Sequence, residues 1–176
     1  FRSIQREARP DLLVLVMSAT LDPTGLVAFF DGCCPVVRVE GRHYSVDIEN
    51  LPHTDERSLL AQVARSVRRL VAETEHGHIL AFLPGVGEIE RTKDLLGDLE
   101  GAEVVPLHGR LRAAEQDRAL APSSRRRVVL ATNIAETSVT LDGVVAVVDG
   151  GLHRLPRFEP RLGVNRLVTQ RISQAS

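Results

Sequence analysis

The chain has 176 residues, 43% of them hydrophobic, and carries 22 Lys+Arg against 23 Asp+Glu. That is enough for one packed α/β domain, or one domain plus a fragment of another, and a packed globular core is expected rather than disorder. A net charge of -1 gives no support to a strong non-specific nucleic-acid clamp, and 3% aromatics without Trp disfavour a base-stacking platform, so any nucleic acid is expected to be held by its backbone.

In chain order, the apolar run Leu12–Met17 after Pro10-Asp11 reads as a buried parallel strand. Asp22-Pro23 offers a cap and a first-turn proline for a short helix over Thr24–Phe30, and Pro35–Val39 reads as a second strand. Gly41–Pro52 is polar and extended, a candidate linker. A helix is predicted from Glu56 to about Glu75, because Leu59, Leu60, Val63, Val67, Leu70 and Val71 share one face. There follow a strand at His78–Leu83, a helix at Glu88–Leu99, a strand at Glu103–Leu107 and a helix at Ala113–Leu120. Two more strands, Arg127–Ala131 and Val144–Val148, complete the alternation. The pattern predicts a parallel sheet with helices on both faces, with ligands at the carboxyl ends of the strands.

Residues suited to ligand contact do follow the strands: Ser18-Ala19-Thr20, Pro84-Gly85, His108-Gly109, Thr132-Asn133 and Asp149-Gly150-Gly151. Gly85-Val86-Gly87 lacks the further glycine of a dinucleotide loop, since position 90 is Glu90. It reads instead as a tight turn into the next helix. Arg125-Arg126-Arg127 reads as a solvated turn. The six histidines show no metal-ligand spacing, and the adjacent Cys33 and Cys34 suit reduced thiols better than a disulfide. The longest apolar run is far too short to span a bilayer, which makes the cytoplasm the expected location. Phe1 and Ser176 both read as cut points rather than natural ends.

The run Thr132-Asn133-Ile134-Ala135-Glu136-Thr137-Ser138-Val139-Thr140-Leu141-Asp142-Gly143 resembles motif V of DEAH-box RNA helicases, and its length makes it specific. In order along the chain, Met17–Asp22 resembles motif III, Leu80–Gly85 motif IV, Pro106–Gly109 with Glu115-Gln116 the next block, and Arg171–Ser176 the lead-in to motif VI. Leu155–Arg161 is most similar to the bacterial HrpB-like branch. The resemblance implies a second RecA-like domain of the P-loop NTPase type over residues 41–176, cut before motif VI. Residues 1–40 would be the tail of a preceding, incomplete RecA-like domain.

The same resemblance implies the roles of individual residues. Ser18, Ala19 and Thr20 would couple the ATP and RNA sites, and Thr132, Asn133, Gly85 and His108 would meet the RNA backbone. Ser138, Thr140, Asp142 and Leu120 would face the nucleotide, with Leu120 standing where relatives often carry an aromatic. The bland readings are a Thr/Asn cap at Thr132-Asn133, a simple turn at Asp142-Gly143, a helix-entry turn at Ser18–Thr20 and a structural His108. No Gly-x-x-x-x-Gly-Lys-Ser/Thr loop and no Asp-Glu-x-His occur, so ATP and Mg would be held only in an intact enzyme, by ligands outside this chain, which alone would be inactive. Implied partners are single-stranded RNA, or a duplex with an overhang, together with the first RecA-like and C-terminal domains of a parent chain; no membrane is implied. A stand-alone RNA-binding or regulatory module is the alternative, and a Rossmann-type small-molecule enzyme a third. Without its own sheet, the Leu12–Met17 strand would expose apolar faces, so residues 1–40 are expected to be poorly ordered, rearranged or packed against a partner.

Overall fold

The structure is a computed structural model and describes residues 2–17, 22–39, 44–51, 58–133, 141–160 and 163–173. It divides into two compact units, Phe1–Asn50 and Leu51–Ser176.

The first unit holds two short helices, α1 (Arg2–Glu7) and α2 (Thr24–Phe29). Asp22 accepts from the Thr24 backbone N–H at 3.0 Å and from its hydroxyl at 2.7 Å, but the N-cap position of α2 falls one residue later than expected, on Pro23. Neither expected strand forms. Leu12–Met17 and Pro35–Val39 have no ladder partner among the described residues, and Leu13, Leu15 and Met17 are 95%, 80% and 81% exposed. A continuous apolar run becomes a buried strand only when a neighbour pairs it and both its faces are covered, and no such neighbour is present among the described residues. Cys33 is exposed and Cys34 half-buried, both as free thiols.

The second unit runs α3 (Leu59–Glu73), β1 (His78–Phe82), α4 (Val86–Leu96), β2 (Glu103–Leu107), α5 (Ala113–Leu120), β3 (Arg127–Ala131) and β4 (Val144–Asp149). A hairpin of β5 (Leu152–Glu159) and β6 (Val164–Arg171) follows. The first four strands form one parallel sheet in the order β2-β3-β1-β4. The path from β1 through α4 to β2 crosses the sheet in one direction, and the path from β2 through α5 to β3 returns. Right-handed crossovers in opposite directions put their helices on opposite faces.

The core shows the same division. Ile79, Ala81, Val128 and Leu130 face α3 and α4 with Val63, Val67, Ile89 and Leu96, whereas Leu80, Val129, Ala131 and Leu107 face α5 with Ala119. Period-two alternation along β1, β2 and β3 therefore feeds two cores, whereas β4 exposes Val145 and Val147 on one face. Each fully buried Val, Leu or Ile stabilises the fold by about 1.5–3 kcal/mol relative to exposure. α4 starts and stops earlier than its periodicity predicts. Gly85 is extended and acts as N-cap, and Gly97 takes φ 57, a left-handed value that ends the helix before Leu99.

Within the Arg125–Arg127 run only Arg125 is solvated as expected. Arg126 donates to the carbonyls of Val71 (2.9 Å), Thr74 (2.6 Å) and Gly77 (3.1 Å) and to the Thr74 hydroxyl, closing the C-terminal end of α3. Arg127 donates to the Ala121 carbonyl at 2.8 Å, just after α5. Helix ends leave carbonyls without intrahelical donors, and two guanidinium groups supply them here.

Candidate functional site

The parallel sheet brings several candidates to one edge. At the carboxyl end of β1 lies Gly85, after β2 His108, and after β3 Thr132 and Asn133. Three backbone bonds hold these exits together: Leu83 N–H to the Ala131 carbonyl (2.8 Å), Thr132 N–H to Leu107 (3.2 Å) and Gly150 N–H to Phe82 (3.2 Å). Thr132 and Asn133 are half-buried, so part of each side chain remains available at this edge. His108 is buried, at 6% exposure, and its Nδ1 accepts from the Arg110 backbone N–H at 3.3 Å. That contact orders the loop after β2, which is a structural task.

Leu120 and Asp142 sit elsewhere. Leu120 ends α5 and Asp142 enters β4, so both belong to the amino-terminal end of the sheet, one strand length from Thr132. Leu120 packs on the α5-side core together with Leu141, and Asp142 is exposed in the turn before β4. The next turn residue, Gly143, accepts from the His78 N–H at 2.7 Å. Ser18, Ala19, Thr20, Ser138 and Thr140 lie outside the described residues.

The loop from His108 into α5 is set by Glu115. Its carboxylate accepts from the Arg112 backbone N–H at 2.9 Å and lies 3.4 Å from the Arg112 guanidinium. The backbone bond, with help from the charges of Arg112 and Arg118, holds the Glu115 carboxyl below the usual carboxylate range.

The β5–β6 hairpin is the feature that sequence reasoning missed. Residues 150–173 carry Arg154, Arg157, Arg161, Arg166 and Arg171 against Glu159 alone, in a chain whose net charge is -1. Arg157 and Arg166 pair directly across the strands, both exposed, and neither has an ion pair among the described residues. Like charges at a cross-strand pair cost stability and attract anions. The available signal was a Glu159-Pro160-x-x-Gly163 turn between two eight-residue stretches, which Pro156 disguised as a non-strand. Among the described residues, no three His, Cys, Asp or Glu side chains gather as metal ligands, and no helix is long and apolar enough to cross a membrane.

Residues 62–175 match the family described as the helicase conserved C-terminal domain. The chain is 44% identical over 177 residues to the ATP-dependent RNA helicase HrpB of Escherichia coli (strain K12), covering 98% of this chain and 22% of that protein. It is 41% identical over 175 residues to the ATP-dependent RNA helicase HrpA of the same organism, covering 96% of this chain and 13% of HrpA. The crystal structure of the E. coli DEAH/RHA helicase HrpB superposes with a TM-score of 0.85 at 42% identity, over 99% of this chain and 22% of that one. The chain thus spans no more than 22% of the length of these relatives.

Proposed function

Because the chain belongs to the helicase conserved C-terminal domain family, with HrpB- and HrpA-type DEAH-box homologues, we propose that it is the second RecA-like domain of an ATP-dependent RNA helicase. In this reading residues 41–176 form that domain, and residues 1–40 are the tail of the first RecA-like, ATP-binding domain.

The observation that carries the proposal is the separation of candidates between the two ends of one sheet. Thr132, Asn133 and Gly85 gather at the carboxyl edge, beside the hairpin that bears Arg157 and Arg166. Hydroxyl, amide and guanidinium donors there suit phosphate oxygens, which position a strand without reading its sequence. Leu120 and Asp142 lie at the amino edge, where a carboxylate and an apolar surface suit a ribose and a base. A domain built in this way meets RNA at one end and forms one wall of an ATP cleft at the other. Ser138 and Thr140 belong to the nucleotide side, and Ser18, Ala19 and Thr20 to the coupling segment. Closure of two such domains on ATP changes the grip on RNA, and hydrolysis releases it.

ATP and Mg belong to the intact enzyme, with phosphate and metal ligands supplied from outside this chain. The partners are single-stranded RNA or a duplex with an overhang, and the other domains of the parent chain, in the cytoplasm. The test is single-stranded RNA affinity of the full-length parent at matched salt. Thr132→Ala with Asn133→Ala is expected to weaken binding about tenfold, as expected from the loss of hydrogen bonds to a charged group, with unchanged thermal stability. Equal affinity for wild type and variant removes these two residues from the RNA interface.

A further inference from the structure

The hairpin joins the sheet through Gly150-Gly151, a connection with little stiffness of its own. Two short contacts close its base. Gly151 N–H donates to Asp149 Oδ1 at 2.7 Å, and Ile172 N–H donates to the Gly151 carbonyl at 3.1 Å. A two-stranded hairpin is marginal by itself, so its direction needs a further constraint.

Arg154, on β5, reaches back to the sheet. Its Nη2 donates to Glu88 Oε1 at 3.1 Å, and its Nε donates to Thr169 Oγ1 on β6 at 3.2 Å. Glu88 lies in the first turn of α4, only 14% exposed, and its Oε1 also accepts from Arg91 Nη2 at 2.9 Å. The second oxygen, Oε2, is buried and takes no hydrogen bond among the described residues. One guanidinium therefore joins β5, β6 and the N-terminal turn of α4. Glu88 is sheltered while the Arg154 side chain is 37% exposed, so the pair is worth more than a surface one and less than a buried one.

Gly85 completes the junction. A Cβ at this position would collide with Arg154 Nη1 and lie 2.9 Å from Glu88 Oε2. The backbone of Gly85 is extended, with φ -171 and ψ 174, a conformation open to any residue. Space, not backbone freedom, is what the glycine supplies.

We infer that Gly85, Glu88 and Arg154 form a positioning clamp that fixes the hairpin to the carboxyl end of β1, and that Gly85 lacks a side chain to admit Arg154. The clamp itself stands on geometry alone. Its consequence for RNA, that it fixes the orientation of the hairpin whose opposite face carries Arg157 and Arg166, rests on the helicase reading above.

Hydrogen exchange in the full-length parent chain tests the clamp. Arg154→Met and Glu88→Gln should each speed exchange of the β5 and β6 amides about tenfold, leaving β1 and β3 unchanged. The double variant should be no faster than Arg154→Met, because one contact is lost only once. Gly85→Ala should speed hairpin exchange in the wild type and do nothing further in Arg154→Met. Should Arg154→Met fail to fold, Thr169→Val reads the same contact through a smaller rise. Unchanged hairpin exchange in these variants, or effects that multiply in the double, overturn the clamp. RNA affinity separates the two claims. If Gly85→Ala weakens RNA binding equally in both backgrounds, the glycine serves RNA directly and the clamp account of it is wrong. If wild-type chain binds no RNA, the helicase reading fails while the exchange result still decides the clamp.

Discussion

Replacing Arg126 with Met keeps the aliphatic stem and removes the guanidinium. The loss removes a donor from the carbonyls of Leu70, Val71, Thr74 and Gly77 and from the Thr74 hydroxyl; among the described residues Leu70 alone keeps other donors, the Thr74 N–H and hydroxyl. A hydrogen bond from a charged donor contributes about 1.5–3 kcal/mol, and neighbouring bonds to one group are far from additive. Water can reach some of these carbonyls, since the cluster is only half-buried. The helix dipole at the end of α3 adds a few tenths of a kcal/mol for the lost cation. The expected destabilisation is therefore about 3 kcal/mol. With a urea m-value of about 2 kcal/mol/M, the midpoint should fall by about 1.5 M. Arg125→Met is the control, because Arg125 is exposed and should change stability by less than about 0.5 kcal/mol. Equilibrium urea unfolding followed by far-UV circular dichroism reads both. Equal midpoints for the two variants would refute the view that Arg126 closes α3.

Arg157→Ala and Arg166→Ala should each weaken RNA binding about equally for all sequences, and each should flatten the log–log salt slope by about 0.7 on single strands. A slope identical to wild type would place the hairpin away from the phosphates. Because these arginines face each other, both changes should leave stability unchanged or slightly raised, as thermal melting would register. Glu115→Gln tests the loop into α5. The Glu115 carboxyl is held below its usual range by the Arg112 backbone N–H, so its contribution is present at neutral pH and is lost as pH falls through the lowered value. Wild type should be the more stable at pH 7, with the gap closing in acid; a gap that widens in acid would reverse the assignment.

Most of the second unit was legible in sequence because local pattern and tertiary context agree there. Glu103–Leu107, Ala113–Leu120 and Arg127–Ala131 form as their patterns predict, since each strand has a partner and each helix has a core to face. In the first unit Leu12–Met17 and Pro35–Val39 form no strand; the apolar pattern states a need for neighbours and cannot supply them, and the exposure of Leu12–Met17 is the one expected for a strand without its sheet. The hairpin was hidden by Pro156, which a two-stranded ribbon tolerates because each strand has a free edge. Side-chain roles were the least legible. The reach of Arg126 to Val71 and of Arg154 to Glu88 spans 55 and 66 residues, distances that no local pattern encodes. The split of the candidates was hidden too, because Leu120 and Thr132 are near in sequence but belong to opposite ends of one sheet.

The central claim is that this domain works in an RNA-dependent nucleotide hydrolase. The most direct measurement is ATP turnover by the full-length parent chain, with and without single-stranded RNA, for wild type and for Thr132→Ala with Asn133→Ala. The account predicts hydrolysis that RNA stimulates, with stimulation by saturating RNA shifted to about tenfold higher RNA concentration in the variant. Hydrolysis indifferent to RNA in the wild type, or no hydrolysis at all, would contradict it.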